Sequence, residues 1–332
     1  MNTSLYQKFE TSLVDQKSMW VKPYVKPCVD DGAHQFLLFL KPEVTAVHAE
    51  VNVEGVLQMV LERLSAFQTS VHAVRILPSA YLAEHSIMDQ HYGVINAISK
   101  QGESALTDAA GEKLKSEFGE DLKKGAKVLG GHQFLEEQSE FTALTLCTLS
   151  DNLGTTKLGG GSYCMRLDME GQIYLVLNPF HAYQLVPFTS GQKAIIAMEC
   201  RSNRDWKALR SDLTGSTDPS AASEGSIRSE LLARKEEFNL AAVNQGSNGI
   251  HLSAGPLEGM VELKRFFTDH ESAADLDLSD TLFGSQLIEA GIDTNRLQEL
   301  AANITIRKGG QSESAFDLTE EVNASDALKR LL

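Results

Sequence analysis

Three observations predict an α/β fold. Gln35-Phe36-Leu37-Leu38-Phe39-Leu40 is a continuous apolar run of strand length, suited to a buried central strand. Val53, Val56, Leu57, Val60, Leu64 and Phe67 then recur at helical spacing, the stripe of an amphipathic helix, before a second strand-like run at 71–77. The alternation returns late in the chain, with strand-like runs at 193–200 and 250–253 and a helical pattern at 257–267.

Ahead of these elements, residues 1–33 read as a polar lead-in with Lys-Pro pairs at 22–23 and 26–27. The residue before each proline is biased to extended backbone, so an arm packed on something else is expected. Between the two halves, 81–92 reads as a short helical segment and 104–127 as a charged helical stretch. Strands are expected at 141–149 and 173–177, with Leu158-Gly159-Gly160-Gly161-Ser162 between them. That glycine run lacks the following Gly-Lys-Ser/Thr of a phosphate loop, which leaves a hairpin or a mobile loop. Helical patterns follow at 205–213 and 222–238. An acidic run at 269–280 reads as a solvated linker, ahead of helices at 287–302 and 327–332.

The 332 residues are 42% hydrophobic and 23% charged, enough for a real core and about two domains. A formal charge of −15 argues against a general nucleic-acid binder, which needs a Lys/Arg excess on its binding face. It leaves room for a nucleotide site with a few focused cations. No apolar run approaches the roughly 20 residues of a membrane span. Met1 to Lys8 has neither a basic nor an apolar leader region, and the four cysteines form no C-x-x-C pair. A reduced, cytoplasmic protein without membrane contact is expected.

The chemistry concentrates between 215 and 262. Gly215-Ser216-Thr217-Asp218-Pro219 is followed by Gly225-Ser226-Ile227-Arg228, then Asn248-Gly249-Ile250-His251-Leu252-Ser253 and Glu262. A carboxylate that accepts from one ring nitrogen of a histidine fixes its tautomer and leaves the other lone pair to attack. Arginine suits phosphate through its planar, two-pronged donor. Taken alone, His251 is more simply a structural histidine; the surrounding constellation changes that.

This segment resembles the nucleoside diphosphate kinase family, whose G-x-T-N-P, G-T-I-R and N-x-x-H-G-S-D-S motifs match in order. Phe39-Leu40-Lys41-Pro42 is similar to the family's first strand and Lys-Pro. Glu84-His85 or His91-Tyr92 stands for its His-Tyr, and Asn178-Pro179-Phe180 for its Arg-Pro-Phe. The resemblance covers 34–92 and 178–267, and it implies a ferredoxin-like sandwich with a four-stranded antiparallel sheet. An inserted subdomain at 93–177 and an acidic linker with a helical extension at 268–332 complete the implied organisation.

By resemblance, His251 is the phosphate acceptor of a ping-pong cycle, oriented by Glu262 with Ser253 nearby. Lys41, Thr217, Arg228 and Asn248 would bind phosphates and ribose, Tyr92 would lie close to the histidine, and Phe180 would stack on the base or serve as a core aromatic. Arg210 would be a second phosphate arginine, although it precedes Gly215 by five residues where the family spacing is four. The implied reaction moves the γ-phosphoryl of a nucleoside triphosphate to a diphosphate. Mg²⁺ would be held by the nucleotide phosphates, with no protein metal cluster and with a homo-oligomeric assembly. Leu252 and Ala254 replace the family's glycine and aspartate. That departure, with the insertion, keeps open a weakly active or inactive nucleotide-binding scaffold, or a phosphohistidine signalling module. The histidines at 34, 48, 72, 132, 181 and 270 lack ligand spacing and read as surface or satisfied-core residues.

Overall fold

In the computed structural model the described residues are 2–28, 34–272, 275–308 and 311–332; the end of the expected arm, 29–33, lies outside them. Five strands form one sheet: β1 (Met19–Lys22), β2 (His34–Leu40), β3 (Ser70–Pro78), β4 (Ala194–Ser202) and β5 (Ile250–Leu252). Their spatial order is β1-β3-β4-β2-β5, and every neighbouring pair is antiparallel. The expected four-stranded sheet therefore gains a fifth strand. Part of the polar lead-in pairs along β3, placing Met19 opposite Ile76 and Trp20 opposite Arg75.

Strand alternation sends successive side chains to opposite faces. On one face, Phe36, Leu38 and Leu40 of β2 join Ile196 and Met198 of β4 and Ile250 and Leu252 of β5. They pack against Val56, Leu57 and Val60 of α2 (Val53–Ala66), Leu5 and Phe9 of α1 (Asn2–Asp15), and Ile227 and Leu231 of α3 (Ile227–Ala233). The other face carries α4 (Pro256–Phe267), whose Phe266 ring stacks on Phe39 with centroids 5.4 Å apart.

The far side of α4 is covered as well. Leu257 and Met260 share a core with Leu278, Phe283, Leu287, Leu297, Leu300 and Leu331. Within the described part of the acidic run, exposed residues alternate with anchored ones. Leu276 and Leu278 are buried, Asp280 meets Lys26 at 2.8 Å, and Asp269 meets the fully buried Arg75 at 3.3 Å.

Residues 86–190 form a second compact unit, the first comprising 1–85 and 191–332. Its sheet runs Lys127–Gly130, Gln172–Leu177, Ser162–Met169, Thr156–Gly159, with the first pair parallel and the others antiparallel. The glycine run is a hairpin, Gly159 pairing with Ser162. The strand expected at 141–149 is instead a helix, Ala143–Leu153, whose N-cap Thr142 accepts from the Thr145 amide. No helix among the described residues is long and apolar enough to cross a membrane.

Candidate active site

His251 is the middle residue of β5 and lies opposite Phe39 in the register with β2. Alternation turns its imidazole away from the core that takes Ile250 and Leu252, both 0% exposed. The ring stacks on Phe39, centroids 4.7 Å apart and planes inclined by 20°. Leu252, the departure beside the histidine, thus points into the opposite face and is a core side chain rather than a wall of the site.

Glu262 lies eleven positions beyond His251, which lets the chain leave β5, turn at 253–255 and climb α4 far enough to face back. Glu262 Oε1 meets His251 Nε2 at 2.8 Å. Its other oxygen accepts from the Ser253 hydroxyl, which in turn accepts from the Leu37 amide at 3.0 Å. Both carboxylate oxygens are occupied within a buried setting, so the carboxylate is fixed in direction. A hydrogen on Nε2 bonded to Glu262 places the imidazole lone pair on Nδ1.

Two cations, the buried Arg228 and the half-buried Lys41, approach the same strand. The Lys41 amide donates to Gly249 O at 2.9 Å, and its ammonium donates to Asn248 Oδ1 at 2.8 Å. Burial holds that ammonium below its ordinary range, against the pull of Glu43. Arg228 is 7% exposed and donates to two backbone carbonyls, Gly215 O at 2.8 Å and Ile250 O at 3.0 Å. Its Nε is buried without a hydrogen bond. Burial, reinforced by Arg210, lowers its pKa to about 10. Among the described residues neither Lys41 nor Arg228 forms an ion pair. Glu43 is the carboxylate whose charge acts on both, and it only partly offsets the cost of their desolvation.

The structure therefore gathers His251, Glu262 and Ser253 into one hydrogen-bonded chain, and brings Lys41, Asn248 and Arg228 to the segment entering β5. Thr217 is exposed, with its carbonyl accepting from Asn248 Nδ2 at 3.4 Å. Arg210 Nη1 donates to Leu252 O at 2.9 Å, and its Nε lies 3.8 Å from Glu321. Tyr92 and Phe180 belong to the 86–190 unit, where Tyr92 meets Phe188 and His181 edge-on and Phe180 meets Tyr163. Of the other histidines, His34 bonds Asn323, His132 bonds Ser99 and His181 bonds Gln184. Sequence reasoning missed Glu258, one turn before Glu262 on α4 and bonded to the Ala254 amide at 3.1 Å. It also missed Glu43, whose Oε1 accepts from the Gly249 amide at 3.1 Å. The four-residue spacing of Glu258 and Glu262 was the available signal.

No protein-family model matches the chain, and no curated protein matches it. Among solved structures, it is similar to a nucleoside diphosphate kinase from Encephalitozoon cuniculi at 14% identity and a TM-score of 0.34, over 73% of this chain and 94% of that one. It is likewise similar to an NDP kinase from Pyrobaculum aerophilum at 18% identity and a TM-score of 0.34, over 72% and 98%. The chain thus has a distant structural likeness to nucleoside diphosphate kinases.

Proposed function

We propose that the protein transfers the γ-phosphoryl group of a nucleoside triphosphate, as its Mg²⁺ complex, to Nδ1 of His251 and from there to a nucleoside diphosphate. The observation that carries this reading is an imidazole whose Nε2 is held by a fully bonded carboxylate, on a strand approached by two cations, Lys41 and Arg228, that form no ion pair among the described residues. Attack by Nδ1 on the γ-phosphorus forms the N–P bond and releases the diphosphate. Positive charge that builds on the ring is offset by Glu262, and Ser253 keeps that carboxylate aimed. Lys41 and Arg228 supply the charge that phosphate oxygens need, which is most of what phosphoryl transfer asks of a protein.

The fold proposed for this chemistry is the ferredoxin-like sandwich. The chain runs β2-α2-β3-β4-α3-β5, and the sheet order β3-β4-β2-β5 is that of a split βαβ arrangement, with β1 added at the β3 edge. Leu252 does not oppose catalysis in this reading, because it faces the core.

Purified protein mixed with γ-labelled ATP and Mg²⁺ tests the proposal. Acid-labile, alkali-stable label is expected, absent in His251→Ala and chased into GTP by GDP. Label that GDP does not remove would instead mark a phosphohistidine signalling module. Nucleotide binding without label would overturn the transfer and leave a binding scaffold.

A further inference from the structure

The carboxyl of Glu258 is not used by the transfer proposed above, yet it is repelled by the carboxylate that bonds His251. It lies one turn before Glu262 on α4, at the spacing that places side chains on one helix face. One of its oxygens accepts from the amide of Ala254, the residue after Ser253, so it also holds the turn between the histidine strand and the helix. The charged groups around it are Glu262 and Arg265 on α4, Arg210 from the 209–214 turn, and Glu320 from the carboxy-terminal segment. Glu321 beside it lies 3.8 Å from Arg210. Two of the nearest four are carboxylates, and the partners of Arg210 include a backbone carbonyl rather than Glu258.

We propose that Glu258 is a positioning residue that sets the charge beside the His251–Glu262 pair. Protonated, it adds no charge beside Glu262; ionised, it adds a negative charge one turn away. The inference rests on His251 being the phosphoryl acceptor. The proton that Glu258 releases goes to solvent, and no bond to phosphorus involves it. Burial and the repulsion of Glu262 raise its pKa to about 8, which puts the change within the range where the enzyme can be assayed. A negative charge added one turn from the carboxylate that holds Nε2 changes the electric field at the ring, so its nitrogen signals register the event.

The test follows the ring nitrogens of His251 by NMR in the full-length protein labelled with ¹⁵N-histidine, between pH 6 and 9.5, without nucleotide. His251→Gln identifies the signals. The wild type is expected to show a step with a midpoint near pH 8, retained in Glu320→Gln and lost in Glu258→Gln. Glutamine keeps an acceptor for the Ala254 amide, so a merely structural cap would leave the step in place. A step that survives Glu258→Gln, or no step in the wild type, overturns the proposal. Labelling with γ-labelled ATP across the same pH range keeps the two readings separate. A normal step without label rejects the acceptor role of His251 alone, whereas normal label without a step rejects the role of Glu258 alone.

Discussion

A desolvated ammonium is unfavourable in the free protein and is relieved when an anion reaches it. Lys41 is in that position, held by Asn248 and kept below its ordinary pKa. Lys41→Met is therefore expected to leave the melting temperature of the nucleotide-free protein unchanged or raised. It should also weaken diphosphate binding by about 10–100-fold, the worth of one hydrogen bond to a charged group. Calorimetric titration with ADP and a thermal melt check both halves, and unaltered affinity would remove Lys41 from the site. At this scale the sequence was legible where chemistry and spacing coincide, as for His251 and Glu262. It was silent where facing decides. Leu252 stood out as a departure from the family motif beside His251, but the two-residue period of β5 buries it on the other face. Arg228 turns Nη1 and Nη2 to backbone carbonyls, a detail that no residue pattern encodes.

The turn into β5 depends on Gly249, which has a φ of +79°, and a Cβ there would lie 2.4 Å from Leu231 Cδ1 and 3.0 Å from Val44 Cγ1. Left-handed backbone costs an L-residue roughly 1–2 kcal/mol, and overpacking of a core about 1–3 kcal/mol more. Gly249→Ala should therefore destabilise the protein by about 2–5 kcal/mol in denaturant melts. Because the neighbouring Asn248 holds Lys41, nucleotide affinity should fall with it; a neutral substitution would mean that the turn is slack. The long elements β2, α2, β3, β4 and α4 were readable because their apolar periods are strong and uninterrupted. The helix at 143–153 was not, since its leucines and β-branched threonines imitate a strand. The overlooked signal was Thr142, Thr145 and Thr148 at three-residue spacing, all exposed, with Thr142 capping the helix.

The helix that carries Glu262 lies between two cores, and this gives the carboxy-terminal segment a role in the site. One side of α4 meets β2 through Phe266 and Phe39; the other shares Leu257 and Met260 with residues 278–331. The contact continues to the turn after β5. The Glu321 amide donates to Ala254 O at 2.9 Å, and a Cβ on Gly255 would lie 2.2 Å from Thr319 O. Asn323 Oδ1 accepts from the Trp206 amide at 2.8 Å, while the Trp206 indole donates to Ser253 O at 3.2 Å. Deleting residues 276–332 would bare Leu257 and Met260, each worth about 1.5–3 kcal/mol when fully buried, and would free the turn that aims Ser253. The truncated chain should melt earlier and lose phosphohistidine labelling at temperatures where its sheet is still folded by circular dichroism. Leu257→Ser in the full chain should shift melting and labelling in the same direction, by less. If the truncated protein instead kept both its melting temperature and its label, the segment would be an appendage, and the geometry of His251, Ser253 and Glu262 would be held by the sheet and α4 alone.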